Sequence, residues 1–305
     1  MVNDPQASGE GVHITVLTPT YNRADKLGRL YESLCAQTFR DFEWVVVDDG
    51  SADATAEVVA GLAAGAPFPV RYVRKQNGGR HTAINAGVRE AAGTFCAVID
   101  DDDWYRPNAL ERLKFHWDAI PDPDRFAEVQ GLCEEDGAII GTAYPVDVFD
   151  SDYYELTHVL GVWGDKIGMI RTDVLREFPF PELGSYVEPR MLWLRMSALY
   201  RIRGVNEVLA GKEYLPDGVT KSLHSQHERL AGARLAYYEE LLAMRRPMPT
   251  RARYKTYANL VRTSLHEHRS FRAQAGAVPA RGWLAAAIPA GVVLYRRDRH
   301  RAAKV

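Results

Sequence analysis

The first hundred or so residues repeat one rhythm four times: an apolar run, a polar loop, then a stretch of helical periodicity. Residues 12–18 (VHITVLT), 43–47 (EWVVV), 70–75 (VRYVRK) and 94–99 (TFCAVI) read as strands. Residues 24–37, 53–63 and 81–91 read as helices between them. In the first, Leu27, Leu30, Tyr31 and Leu34 recur on one face. A fourth helix opens at Pro107, where a missing N–H is tolerated, and runs on through Asn108, Leu110, Glu111 and Leu113. Such alternation predicts an α/β fold, a mostly parallel Rossmann-like sheet with right-handed crossovers and helices on both faces. It places the loops TPTYN, DDGS, NGGRHT and DDDD on one edge, where open α/β sheets bind their ligands.

The fourth loop is chemically the most demanding. Asp100, Asp101, Asp102 and Asp103 are consecutive, and four like charges held together call for a cation. Oxygen ligands at the mouth of a strand suit Mg2+ or Mn2+. Strand alternation lets Asp100 and Asp102 face one ion. The bland alternative is a solvated loop or a structural calcium site, but the spacing of an EF-hand is absent. Along the same edge lie an aromatic, Tyr21, a carboxylate able to read a base or ribose, Asp49, and the pair Gly78–Gly79. Together these suit a nucleoside diphosphate. Neither G-x-G-x-x-G after the first strand nor G-x-x-x-x-G-K-[ST] is present, which argues against a dinucleotide Rossmann domain and a P-loop NTPase.

Charge is divided along the chain. The net value is −2, yet from Arg245 onward it is +12, leaving −14 for the rest. A tail so basic is expected to meet something anionic. Residues 283–295 form an apolar run of 13, too short to span a bilayer as a helix. Flanked by Arg281, Arg296, Arg297, Arg299 and Arg301, it suits either an anionic membrane surface or a buried terminal or partner-binding helix. No nucleic-acid motif accompanies the charge. Cys35, Cys96 and Cys133 are few, odd in number and without metal spacing. They fit a reducing cytoplasm, as does a polar N-terminus without targeting character, so the expected location is cytoplasmic, with the inner membrane face as a peripheral site.

The pattern changes after residue 126. Residues 126–145 read as a hairpin turning at Asp136–Gly137, followed by a helix at 152–160, a strand at 166–171 and a short helix from Thr172. Helices are expected at 222–245 and 254–272. The expected division is a catalytic domain over 1–220, split into 12–115 and 116–220, and a basic helical extension over 221–305.

TPTYNRADKLGRLYESLCAQTFRDFEWVVVDDGSADAT, QNGGRHTAINAG and IDDDDWYRPNALE, in that order, resemble the family 2 glycosyltransferases of A-type fold. The likeness is close over residues 12–115. It continues more loosely through GDKIGMIRTDVLREFPFPE, YVEPRMLWLRM and EYLPDGVTKS to about residue 222. The resemblance implies transfer of a sugar from a nucleotide-diphosphate donor, a UDP-sugar by preference, with inversion and with Mn2+ or Mg2+. By the same resemblance Pro19, Thr20, Tyr21 and Asn22 hold the nucleotide, and Asp49 accepts from the base. Asn77, Gly79, Arg80 and Asn85 lie near the diphosphate. Asp102 ligates the metal, with Asp100 and Asp101 near the ribose or sugar.

An inverting transfer also needs a base for the acceptor hydroxyl. The resemblance assigns Glu188, ahead of Trp193 and Arg195. Pro189 after the acid, and one extra residue before Trp193, depart from the family pattern and leave Glu182 as the alternative. Asp165 and Lys166 resemble residues near an acceptor site. The acceptor implied is a glycan, a lipid-linked saccharide or a natural product. The competing reading is a non-catalytic module that binds a sugar nucleotide or glycan on the same fold. A sugar-1-phosphate nucleotidyltransferase would place a glycine- and basic-rich loop after strand one, and TPTYNRAD is not that loop.

Overall fold

The computed structural model describes residues 13–182, 184, 186–213 and 230–302. Strand β1 (Ile14–Thr20) is buried at every position, as is β2 (Phe42–Asp48) beside it. Strands buried along their whole length are what a sheet covered on both faces requires. Helix α1 (Leu27–Cys35) joins them and buries Leu27, Leu30 and Leu34 completely. Each of those side chains contributes roughly 2 kcal/mol of transfer free energy. Helix α2 (Thr55–Gly65) leads to β3 (Val70–Arg74), and α3 (Arg80–Glu90) leads to β4 (Phe95–Val98). The acid loop follows, then a two-residue strand β5 (Trp104–Tyr105) and helix α4 (Ala109–Asp118).

The second half supplies β6 (Phe126–Glu135), β7 (Ala138–Ile139) and β8 (Val148–Ser151). It continues with β9 (Lys166–Arg171), α5 (Thr172–Glu177), α6 (Arg190–Met196) and β10 (Arg201–Gly211). All these strands lie in one sheet of order β3-β2-β1-β4-β9-β6-β10-β5, with β7 on β6 and β8 on β10. The first four run parallel, whereas β9 is antiparallel to both β4 and β6. Because β9 runs backwards, its first residue lies on the edge where β4 ends. One apolar cluster packs α1 and α4 on one face, and another packs α3, α5 and α6 on the other.

The hairpin turns where the spacing predicts. Asp136 (φ 50°) and Gly137 (φ 79°) are both left-handed, as a two-residue turn of this type requires. Three elements differ from expectation. Residues 155–159 form a π turn, Glu155–Val159. The single helix expected over 254–272 is two helices, because His268 turns left-handed (φ 54°) and Ser270 caps a new start by accepting from the Ala273 N–H. Strand β10 carries no alternation by which to find it, since both its faces are largely covered.

Beyond the sheet stand α7 (Ala231–Ala243), α8 (Thr250–His266), α9 (Phe271–Ala277) and α10 (Arg281–Ala302). The start of the helix expected at 222–245, the EYLPDGVTKS segment from Tyr214 onward and the N-terminal residues 1–12 lie outside the described residues. The apolar run 283–295 sits within α10. Its Leu284 and Ala287 are buried against α8, and Gly291 lies directly on Val261. Asp298 of α10 pairs with Arg262 and His266 of α8 in the same interface. Among the described residues no helix is long and apolar enough to cross a membrane.

Candidate active site

The loops after β1, β2 and β4, with the glycine loop that opens α3, form one connected surface at the carboxyl edge of the parallel strands. Asn22 adopts a left-handed conformation (φ 52°), which asparagine tolerates. It locks the first loop to the second: its N–H donates to Ser51 Oγ (2.8 Å), and its Oδ1 accepts from the Ala52 N–H (2.7 Å). Pro19 and Thr20 are buried in β1, while Tyr21 is exposed beside them.

The two acids of the second loop do different work. Asp48 is buried and accepts from the Ser51 N–H and the Tyr72 hydroxyl, which fixes the turn. Asp49 reaches the third loop, accepting from Gly78 N–H (3.0 Å), Gly79 N–H (2.7 Å) and Lys75 Nζ (2.6 Å). Its carboxylate therefore shapes the glycine loop. Gly79 has φ 95°, and a Cβ at Gly78 would meet Thr82 Oγ1 at 2.8 Å. Here the glycines are required by the backbone. Asn77 is exposed on this loop. Asn85, on α3, is buried: its amide donates to Phe180 O (2.8 Å) and Glu182 Oε1 (3.1 Å), and it accepts from the Phe180 N–H. It thus carries the 180–182 segment.

In the acid loop every carboxylate meets a cationic side chain, and Asp101 and Asp102 share one. Arg80 Nε donates to Asp100 (2.7 Å). Thr20 Oγ1 and Arg23 both donate to Asp101, at 2.7 and 2.8 Å. Arg23 also reaches Asp102 Oδ2 (2.9 Å). Lys212, just past β10, pairs with Asp103 and lies 3.6 Å from Asp165. Burial pushes Asp101 up to about 6, against the pull of Thr20 and Arg23. Burial likewise pushes Asp103 up to about 7, although Lys212 opposes it. Asp100 goes the other way: burial would raise it, but Arg80, Lys212 and Arg23 together hold it below the usual carboxylate range.

Arg23 and Lys212 are the residues that sequence reasoning missed. Arg23 stands inside the TPTYNRAD turn, but nothing in its spacing marks it as an acid partner. Lys212 is distant in sequence, and only the β10–β5 pairing brings it to Asp103.

Among the described residues no group of three or more His, Cys, Asp or Glu side chains gathers around a common metal position. The donor set still fits a hard divalent ion of the Mg2+ type. Such ions take one or two carboxylates and fill their remaining positions from water and substrate phosphates. Asp100 and Asp102 are the acid-loop carboxylates with the most exposed side chains, 34% and 20%.

Glu188 stands in a different group. It is buried at the start of α6, and its Oε1 accepts from Arg190 Nε at 2.7 Å. Arg190 in turn lies over the Tyr237 ring, 4.4 Å from its centre. Glu182 is exposed and lies beside Asn85. Trp193, about one turn into α6, donates to buried Glu128 on β6 at 2.7 Å.

Residues 15–122 match the family model described as glycosyl transferase family 2. The glycosyltransferase GlyA of Streptococcus pneumoniae is 27% identical over 205 residues, covering 61% of this chain and 29% of that protein. The succinoglycan biosynthesis protein ExoO of Rhizobium meliloti is 41% identical over 112 residues, covering 36% of this chain and 31% of its own length. The alignments therefore span about a third of these relatives. Among solved structures, Staphylococcus aureus TarS 1–349 in complex with UDP-GlcNAc superposes with a TM-score of 0.62 at 16% identity, over 96% of this chain and 92% of that one. The mannosyltransferase PcManGT of Pyrobaculum calidifontis, in complex with GDP-Man and Mn2+, gives 0.58 at 19% identity, over 97% and 84%. These likenesses establish the A-type glycosyltransferase fold.

Proposed function

Residues 15–122 of this chain form a family 2 glycosyltransferase domain, and on that premise we propose that the chain moves a sugar, with inversion, from a nucleotide-diphosphate donor to an acceptor hydroxyl or amine. The observation that carries the reading is the acid loop 100–103. It lies at the carboxyl edge of the parallel strands, braced by Arg23 and Arg80, beside a glycine loop shaped by Asp49.

In this reading Pro19, Thr20, Tyr21 and Asn22 form the nucleotide wall, with exposed Tyr21 available to stack on the base. Asp49 sets the glycine loop and borders the base; Asn77, Gly79 and Arg80 border the diphosphate, and Asn85 holds the segment behind it. Asp102 would hold Mn2+ or Mg2+ with Asp100 or Asp101 beside it, and a cation so held offsets charge building on the departing diphosphate. Arg23 and Arg80 are bonded to the acids in the structure, and a diphosphate held at this loop would offer them oxygens, which guanidinium groups bind well. A UDP-sugar is the preferred donor. TarS was solved with UDP-GlcNAc and PcManGT with GDP-Man, so both bases occur on this fold.

Glu188 is proposed as the base. Its burial and the bond from Arg190 to Oε1 leave Oε2 as the oxygen that would take the acceptor's proton. The same observation favours Glu182 as an alternative base, and favours the second reading, a non-catalytic sugar-nucleotide or glycan-binding module. Residues 1–220 are proposed as the catalytic unit and 221–305 as a basic extension facing an anionic membrane surface, with the protein on the cytoplasmic side.

Calorimetric titration of UDP, GDP and dTDP, with and without Mn2+, tests the donor site. Metal-dependent UDP binding in the wild type, lost at least tenfold in Asp102→Ala, is expected. Absence of nucleoside diphosphate binding under both conditions would sink the transferase reading. Product formation by Glu188→Gln and Glu182→Gln then separates the two base candidates. Nucleotide binding without turnover in the wild type would favour the non-catalytic module.

A further inference from the structure

Trp163 stands out on the acceptor side of the site: its side chain is 64% exposed. The backbone that carries it is unusually well fixed for an exposed loop. Trp163 N–H donates to Thr142 Oγ1 (3.0 Å), and its carbonyl accepts from the Thr142 N–H (3.0 Å) and from Lys166 Nζ (3.1 Å). Gly141 (φ 84°) and Gly164 (φ 94°) let the two strands of chain touch; a Cβ at Gly141 would lie 2.1 Å from Trp163 O. An apolar ring held in water on a fixed backbone is a ready-made contact surface, since little ordering is lost when something binds it.

Its position names the occupant. The loop feeds β9, whose reversed direction brings Asp165 to the edge where the acid loop lies. Lys212 spans the gap, pairing with Asp103 and approaching Asp165. Trp163 therefore sits on the far side of the acid loop from the loops after β1, β2 and β3. The half-exposed Asp165 and Lys166 follow Trp163 within three residues, and the Lys166 ammonium is held at the Trp163 carbonyl. An apolar plane edged by polar groups complements a pyranose, whose C–H bonds form a flat apolar face and whose hydroxyls point outward.

We propose that Trp163 is the stacking platform for the acceptor, and that the acceptor is a saccharide. Asp165 and Lys166 meet its hydroxyls, and the ring aligns it toward the acid loop. The proposal rests on the donor-site reading above for its direction, but its test is read separately.

The full-length chain is titrated with soluble cello-, chito-, malto-, xylo- and manno-oligosaccharides, with UDP and Mn2+ present, following tryptophan fluorescence and heat. Wild type, Trp163→Ala and Trp163→Tyr are compared, and UDP binding is measured for each. The expected result is binding of at least one series, weakened about tenfold or more in Trp163→Ala and largely kept in Trp163→Tyr, with UDP binding unchanged. Equal saccharide binding in wild type and Trp163→Ala overturns the proposal. So does a wild type that binds UDP but none of the five series, which leaves the donor site standing. Saccharide binding that depends on Trp163 in a protein that binds no nucleotide would instead keep the platform and overturn the donor reading.

Discussion

Glu128 shows how far a single residue can depart from its ordinary chemistry. It lies on β6 with 3% exposure, and burial pushes its carboxyl up to about 8, opposed by the hydrogen bond from Trp193. Gly168 on the neighbouring strand makes room for it, since a Cβ there would stand 2.0 Å from Glu128 Oε1. The folded chain then holds a proton that the unfolded chain releases near pH 4.5. The stability linked to that proton is complete below pH 4.5 and is lost as pH rises through about 8, roughly 5 kcal/mol in all. Urea unfolding between pH 5 and 9 is expected to show this decline in the wild type. In Glu128→Gln, which keeps an acceptor for Trp193, the decline should be much smaller; an equal slope in both proteins would contradict the buried neutral acid.

At the scale of elements, the C-terminal helices are joined by charge as much as by packing. Asp298 on α10 takes both Nε and Nη2 of Arg262, and Nε2 of His266, all from α8. Removing the carboxylate while leaving a mostly buried guanidinium in place costs about 3 kcal/mol in comparable settings. Asp298→Asn should therefore lower the thermal midpoint and speed amide exchange in α10 before the sheet is affected. A variant whose α10 exchanges like the wild type would show that packing alone holds the helix.

The legibility of the sequence was uneven for physical reasons at this same scale. The strands and helices of residues 13–118 announce themselves because local periodicity and turn chemistry agree there. The acid loop was visible as a run of like charge, whereas its partners Arg23 and Lys212 were not, because pairing across the sheet edge leaves no local trace. Strand β10 was hidden by its burial. The break at His268 was hidden because histidine does not advertise a left-handed turn.

For the whole molecule, the basic extension presents exposed Arg296, Arg297, Arg299 and His300 at one end of α10, past an outward face of Ala285, Ala286, Pro289 and Val293. If this end meets an anionic surface, flotation with phosphatidylglycerol vesicles should retain the wild type at low salt. The double change Arg296→Glu with Arg297→Glu should abolish retention, and neutral phosphatidylcholine vesicles should retain neither. Retention of the charge-reversed protein would rule out this end as the contact.

The continuous sheet has a further consequence. The match to the family model ends at residue 122, but the apolar core does not. Ile14, Val16 and Trp44 share one cluster with Val129, Met169, Val205 and Leu209, from strands beyond that point. A fragment ending at residue 122 should accordingly lack dispersed amide resonances and a cooperative melt, because its β4 edge and half its packing surface would face water. The stretch that matches the family model is thus not a portable module in this chain. In this chain residues 15–122 form one half of an interior, and the strands beyond them must be in place before those residues can hold their shape.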